Sequence, residues 1–179
     1  MIQSPHGPGL YLSKWPGPIT GDKWEDRVRI NARRVREGWS EFLSGFPWEW
    51  AVSLTFDPRR AMDTGQRTYA NEQTVSREVH RWCGDLARMS RRPVVWAFAI
   101  EGGGGSHLHA HALIIDARDA ALEAAQRVWE ARNGTVAVKP VDDIGHAARY
   151  MCKALGPNGE VVLSDTLRRH HGTRCAMTR

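Results

Sequence analysis

The run from Glu101 to Ile115, EGGGGSHLHAHALII, restricts this chain more than any other stretch. His107, His109 and His111 alternate with small or apolar residues and lead directly into Leu113, Ile114 and Ile115. Side chains on a strand alternate between faces with a period of two. The three imidazoles therefore share one face, and Leu108, Ala110, Ala112 and Ile114 share the other. Solvation of a strand face accounts for one histidine; three in alternation ask for another reason. Imidazoles side by side on a rigid strand suit a divalent metal. Glu101, across the glycine-rich turn, can add a carboxylate, and two histidines with one carboxylate hold one face of an ion and leave the other open. Either neighbouring pair, His107 with His109 or His109 with His111, satisfies this spacing.

The rest of the composition bounds the answer. The chain has 179 residues, enough for one domain, and 41% hydrophobic residues, enough for a core. No apolar run approaches the ~18 residues of a membrane span. The N-terminal MIQSPHGPGLYLSKWPG lacks the basic-then-apolar order of a signal peptide, so the cytoplasm is the default expectation. Cys83, Cys152 and Cys175 form no CxxC, which argues against a disulfide framework or a structural zinc site. The formal charge is +5 and mostly arginine. Arginine forks match phosphate oxygens, which suits a polyanion such as nucleic acid. A GC-rich genome would produce the same arginine usage, so charge gives only a lean.

Residues 1–22 carry Pro5, Pro8, Pro16 and Pro18 with Gly7, Gly9, Gly17 and Gly21, the composition of an extended or disordered arm. From Lys23 to Leu43 the period is helical, with Trp24, Val28, Val35, Trp39 and Phe42 inward, Asp22 as N-cap and Gly45 as stop. Arg27, Arg33, Arg34 and Arg36 would be its solvated face. Trp50 to Phe56 reads as a strand, Thr68 to Met89 as a second helix, and Val94 to Ile100 as a strand turning into the histidine strand. That hairpin would return Glu101 to the histidines. Ala117 to Ala131 reads as a helix, Thr135 to Val138 as a short strand, and Asp143 to Leu155 as a last helix, closed by Gly156-Pro157-Asn158-Gly159. The order β-α-β-β-α-β-α implies an α+β fold: a central antiparallel sheet flanked by helices, in the ferredoxin-like split βαβ manner. The organisation expected is an arm over 1–22, the domain over 23–155, and a basic extension over 156–179.

A second signal lies on the last helix. Tyr150 and Lys153 are three apart and share a face one turn apart. A phenol with a pKa of about 10 is a weak nucleophile at neutral pH, and a nearby ammonium favours its anion and can hold a phosphate under attack. By itself a YxxK is as well read as a half-buried tyrosine and a solvated lysine.

Taken together, these residues resemble the HUH endonuclease superfamily, and within it the rolling-circle replication initiators with a single catalytic tyrosine. Val52-Ser53-Leu54-Thr55-Phe56 is similar to the family's first motif, a strand ending in Thr-Leu-Thr or the like. His109-Ala110-His111-Ala112-Leu113-Ile114 is similar to its second, and Tyr150 to Lys153 to its third. The likeness covers about Trp50 to Leu155. It implies the HUH endonuclease fold and a metal-dependent, site- and strand-specific nickase and ligase of single-stranded DNA, initiating rolling-circle replication of a plasmid or phage through a 5′-phosphotyrosine link. Tyr150 and Lys153 would be catalytic. His109, His111 and Glu101 would hold Mn²⁺ or Mg²⁺, because the family's apolar run follows its second histidine directly. His107 would then sit at the edge of the site, and His146, one turn before Tyr150, would be a surface histidine. The partner implied is single-stranded DNA at a replication origin, with a hairpin, and host replication proteins beside it; no membrane is involved. Two other readings stay open. One is a single-strand transposase of the same superfamily, or a domesticated relative. The other is a binding module of this fold that no longer cuts, using its tryptophans to stack on unpaired bases.

Overall fold

The computed structural model describes residues 21–57, 59, 71–102, 108–156 and 161–169. Its elements run α1 (Gly21–Ser44), β1 (Trp50–Thr55), α2 (Glu72–Ser90), β2 (Val95–Glu101), β3 (His109–Ile115), α3 (Asp119–Arg132), β4 (Val136–Pro140), α4 (Ile144–Cys152) and β5 (Val162–Leu163). The strands form one antiparallel sheet in the order β4-β1-β3-β2-β5. From β1 to β4 this is a βαββαβ chain with the split βαβ order, as the alternation of strand and helix patterns predicts. The protein is α+β, a central antiparallel sheet with helices on both faces.

Strand parity assigns the faces. Val52, Leu54, Phe98, Ala110, Ala112 and Ile114 point to one side and pack under α2 and α3, against Val75, Val79, Trp82, Leu86, Leu122 and Trp129. The opposite side is covered by α1 and α4, where Ala97, Ala99 and Leu113 meet Leu43, Ala148 and Met151. Local signals start and stop the helices. Asn71 caps α2 by accepting from the Thr74 N–H at 2.8 Å, and Arg91 ends it in the left-handed region at φ 52°. Asp143 caps α4 by accepting from the His146 N–H at 2.8 Å. That bond, chiefly, holds its carboxyl below the ordinary value.

Boundaries depart from the sequence expectations in instructive places. Helix α1 begins at Gly21, ahead of the expected cap at Asp22. Its inward face is real only from Ala32 onward: Trp24 is 61% exposed and Ile30 51%, while Leu43 is fully buried. The cause is length. Twenty-four helical residues span about 36 Å, whereas strands of five to seven residues span about 20 Å, so the first turns overhang the sheet. Arg36, expected on the solvated face, donates to the Leu155 carbonyl at 3.2 Å. Helix α4 is shorter than expected and ends at Cys152, with Lys153 as its C-cap. Within the expected extension over 156–179, Val162 and Leu163 pair with Phe98 and Ala97 as β5, and Leu167 is buried. The expected start of α2 at Thr68, the glycine turn at Gly103–Gly105, and His107 lie outside the described residues.

Close approach fixes one glycine. Gly134 has φ +159°, and a Cβ there would lie 2.1 Å from the Thr55 carbonyl oxygen. The chain entering β4 therefore presses directly on the end of β1.

Candidate active site

The face under α1 and α4 changes character along its length. Three cross-strand rows can be read from the register. Ala51, Leu113 and Ala97 form the first, Ser53, His111 and Ala99 the second, Thr55, His109 and Glu101 the third. The first row is apolar and lies under the helices. The other two carry hydroxyls, imidazoles and a carboxylate. The alternation that predicts a shared face for His109 and His111 places them in adjacent rows of β3, and the hairpin sets Glu101 directly opposite His109.

Glu101 and His111 meet: Oε2 lies 2.5 Å from Nε2. The same oxygen lies 3.1 Å from the Lys153 ammonium. Burial would raise the Glu101 carboxyl, but hydrogen bonds from His111 and Lys153 outweigh it and leave it below the ordinary carboxylate value. Burial lowers the His111 imidazole more than Glu101 raises it. Burial also works against the Lys153 ammonium, and hydrogen bonds to Glu101 and Tyr150 overcome it, so its value rises. The set thus holds an anionic Glu101, a neutral His111 and a cationic Lys153. A carboxylate only accepts, so neutral His111 donates its Nε2–H to Glu101 and accepts the Ser53 hydroxyl at Nδ1, 3.1 Å away.

Helix α4 brings the tyrosine. The Lys153 ammonium stands 4.2 Å from the centre of the Tyr150 ring, a cation–π distance. The Tyr150 and His111 rings meet edge to face with centroids 5.0 Å apart. Tyr150 is 46% exposed, so its side chain is open to solvent beside the cleft. His146, one turn earlier and exposed, lies nearly parallel to Tyr150 at 6.5 Å. A cleft of about 520 Å³ opens beside this group, with Ser53, His111, Ala137, His146, Tyr150 and Met151 among its walls.

Of the residues expected from the sequence, Glu101, His111, Tyr150 and Lys153 come together. His109 is on the same face, and its Nδ1 lies 3.1 Å from the Thr55 hydroxyl. Among the described residues, no three of His, Cys, Asp and Glu converge closely enough to hold an ion as they stand. The donor set nonetheless fits a divalent ion in kind: two imidazoles and a carboxylate on one face, each imidazole with a hydroxyl at Nδ1. Sequence reasoning gave no role to Ser53 and Thr55. Their signal was a pair of hydroxyls two apart on β1, and it acquires meaning only through the β1–β3 register.

No protein-family model matches the chain, and neither does any curated protein. Among solved structures, the chain is similar to one described as the catalytic domain of the adeno-associated virus type 5 Rep protein. The identity is 16%, the TM-score is 0.37, and the match covers 66% of this chain and 76% of that one. Among the described residues no helix is long and apolar enough to cross a membrane.

Proposed function

We propose that this protein is a metal-dependent nickase and ligase of single-stranded DNA, site- and strand-specific, of the kind that initiates rolling-circle replication at a hairpin-bearing origin. The observation that carries the reading is the meeting of a tyrosine, a lysine, a histidine and a glutamate from three separate elements at the open end of one sheet face.

In this reading the residues take the following roles. Tyr150 Oη attacks the scissile phosphorus, the P–O3′ bond breaks, the phenol gives up its proton and the departing 3′ oxygen gains one. The product is a 5′-phosphotyrosine link and a free 3′-hydroxyl. Because a phosphodiester replaces a phosphodiester, the 3′-hydroxyl can attack the link in reverse and reseal the strand without ATP. Lys153, above the Tyr150 ring, stabilises negative charge as it develops on Oη and on the phosphate. His109, His111 and Glu101 would hold Mn²⁺ or Mg²⁺, which when bound polarises the phosphate. The T-shaped contact with His111 holds the Tyr150 ring against β3, so that nucleophile and donors keep a fixed spacing.

The test is direct. The full chain, mixed with Mn²⁺ and a pool of single-stranded oligonucleotides containing hairpins, should give an SDS-resistant protein–DNA adduct that EDTA abolishes. No adduct on any hairpin would sink the reading, and an adduct surviving in Tyr150→Phe would show that the nucleophile is another residue.

A further inference from the structure

Both histidines are held from behind by the neighbouring strand. Ser53 Oγ lies 3.1 Å from His111 Nδ1, and Thr55 Oγ1 lies 3.1 Å from His109 Nδ1. We propose that Ser53 and Thr55 are positioning residues that fix the two imidazole rings through Nδ1, reserving Nε2 for the reacting side. The metal consequence rests on the function proposed above; the ring positions do not.

Three observations carry this. Each hydroxyl is the register partner of the histidine it meets, Ser53 opposite His111 and Thr55 opposite His109. Directly opposed residues have Cβ atoms about 4.5–5.5 Å apart, so the sheet itself sets the spacing. The pattern also has an internal control. Where the β3 residue of the same face is Leu113, β1 supplies Ala51; hydroxyls stand only in the two rows that carry imidazoles. Finally, His111 shows the outcome, with Nδ1 toward Ser53 and Nε2 toward Glu101.

The choice of a hydroxyl has a chemical reason. A carboxylate in this place would only accept, locking a proton on Nδ1 and adding a second negative charge beside Glu101. A hydroxyl donates or accepts by rotating. As described, Ser53 donates to His111 while Nε2–H serves Glu101. If Nε2 instead gives its lone pair to an ion, the proton sits on Nδ1 and the Ser53 hydroxyl accepts it. The ring keeps its orientation through both tautomers. Partners of this kind set ligand orientation, and their loss typically costs ~10–100-fold in metal affinity.

The experiment uses the full chain and two readouts. Mn²⁺ affinity is followed by electron paramagnetic resonance, and imidazole ¹⁵N shifts are recorded without metal. Ser53→Ala and Thr55→Val should each weaken Mn²⁺ binding about tenfold or more. They should shift Nδ1 of His111 and of His109 respectively. Ser53→Thr and Thr55→Ser, which keep the hydroxyl, should restore both readouts. Wild-type affinity and unshifted ring nitrogens in both hydroxyl-free variants would overturn the proposal. Weakened Mn²⁺ binding in those variants, with no DNA adduct from the wild type, would support the positioning and overturn the nickase reading. A wild type that takes up no Mn²⁺ would overturn the metal assignment, and the shifts would still decide the positioning.

Discussion

The two faces of the sheet use the same five strands in opposite ways. Under α2 and α3, the face presents Val52, Leu54, Phe98, Ala112 and Ile114 to a dry layer. Under α1 and α4, the corresponding odd positions are apolar only at one end, and end in Ser53, Thr55, Glu101, His109 and His111. The first face is therefore given wholly to cohesion, while the second combines an apolar layer with the polar cluster of the candidate site. The buried imidazole of His111 and the half-buried carboxylate of Glu101 on the second are tolerable because each is hydrogen-bonded. The difference implies that stability and activity can be perturbed separately.

The largest effect should come from Tyr150→Phe. The adduct with single-stranded DNA should vanish, while thermal unfolding stays within roughly 0.5 kcal/mol of wild type, because phenylalanine keeps the ring and its contacts with His111 and Lys153 and loses only the hydroxyl. A large loss of stability would break the division of labour. Next is Leu86→Ala, fully buried on α2. Its cost should be about 2–5 kcal/mol in chemical denaturation, with adduct yield per folded molecule unchanged at low temperature. Glu101→Gln should come third: Mn²⁺ binding by titration should weaken by at least the roughly 10–100-fold expected for a lost outer partner, with little change in melting temperature. The smallest effect concerns His80, whose ring lies edge-on to Trp96 and Phe98 on the cohesive face. Burial first, then Arg168, lowers its imidazole below the ordinary value against the pull of Asp165. The unfolded chain then binds a proton that the folded chain resists. The stabilising contribution is present above the unfolded value of about 6.5 and is lost as pH falls through it toward the folded value. Melting temperatures at pH 7.5 and 5.5 should diverge more in wild type than in His80→Gln; equal slopes would remove His80 from the account.

Much of this was legible in the sequence because it depends on period and spacing. Alternation in HAHALII fixes a face whatever the fold, and three-residue spacing puts Tyr150 beside Lys153. The helix and strand alternation was enough for the split βαβ order. What was not legible depends on register and length. Ser53 and Thr55 read only as part of a strand until β1 is laid against β3. Lys153 reads as a partner of Tyr150, yet the Glu101 contact needs α4 to end where it does. Trp24 follows the apolar period of α1 but faces outward, since a repeat cannot report where the sheet beneath it stops.

Thr55 belongs to both layers at once. Its side chain engages His109, while its carbonyl accepts from the Trp129 indole at 3.1 Å and lies against Gly134. A carbonyl cannot be replaced by substitution, so its position can be altered only through what surrounds it. Trp129 packs on the far side of the sheet from the cleft, so a conservative change there offers a remote adjustment of His109, whereas Gly134 admits no side chain.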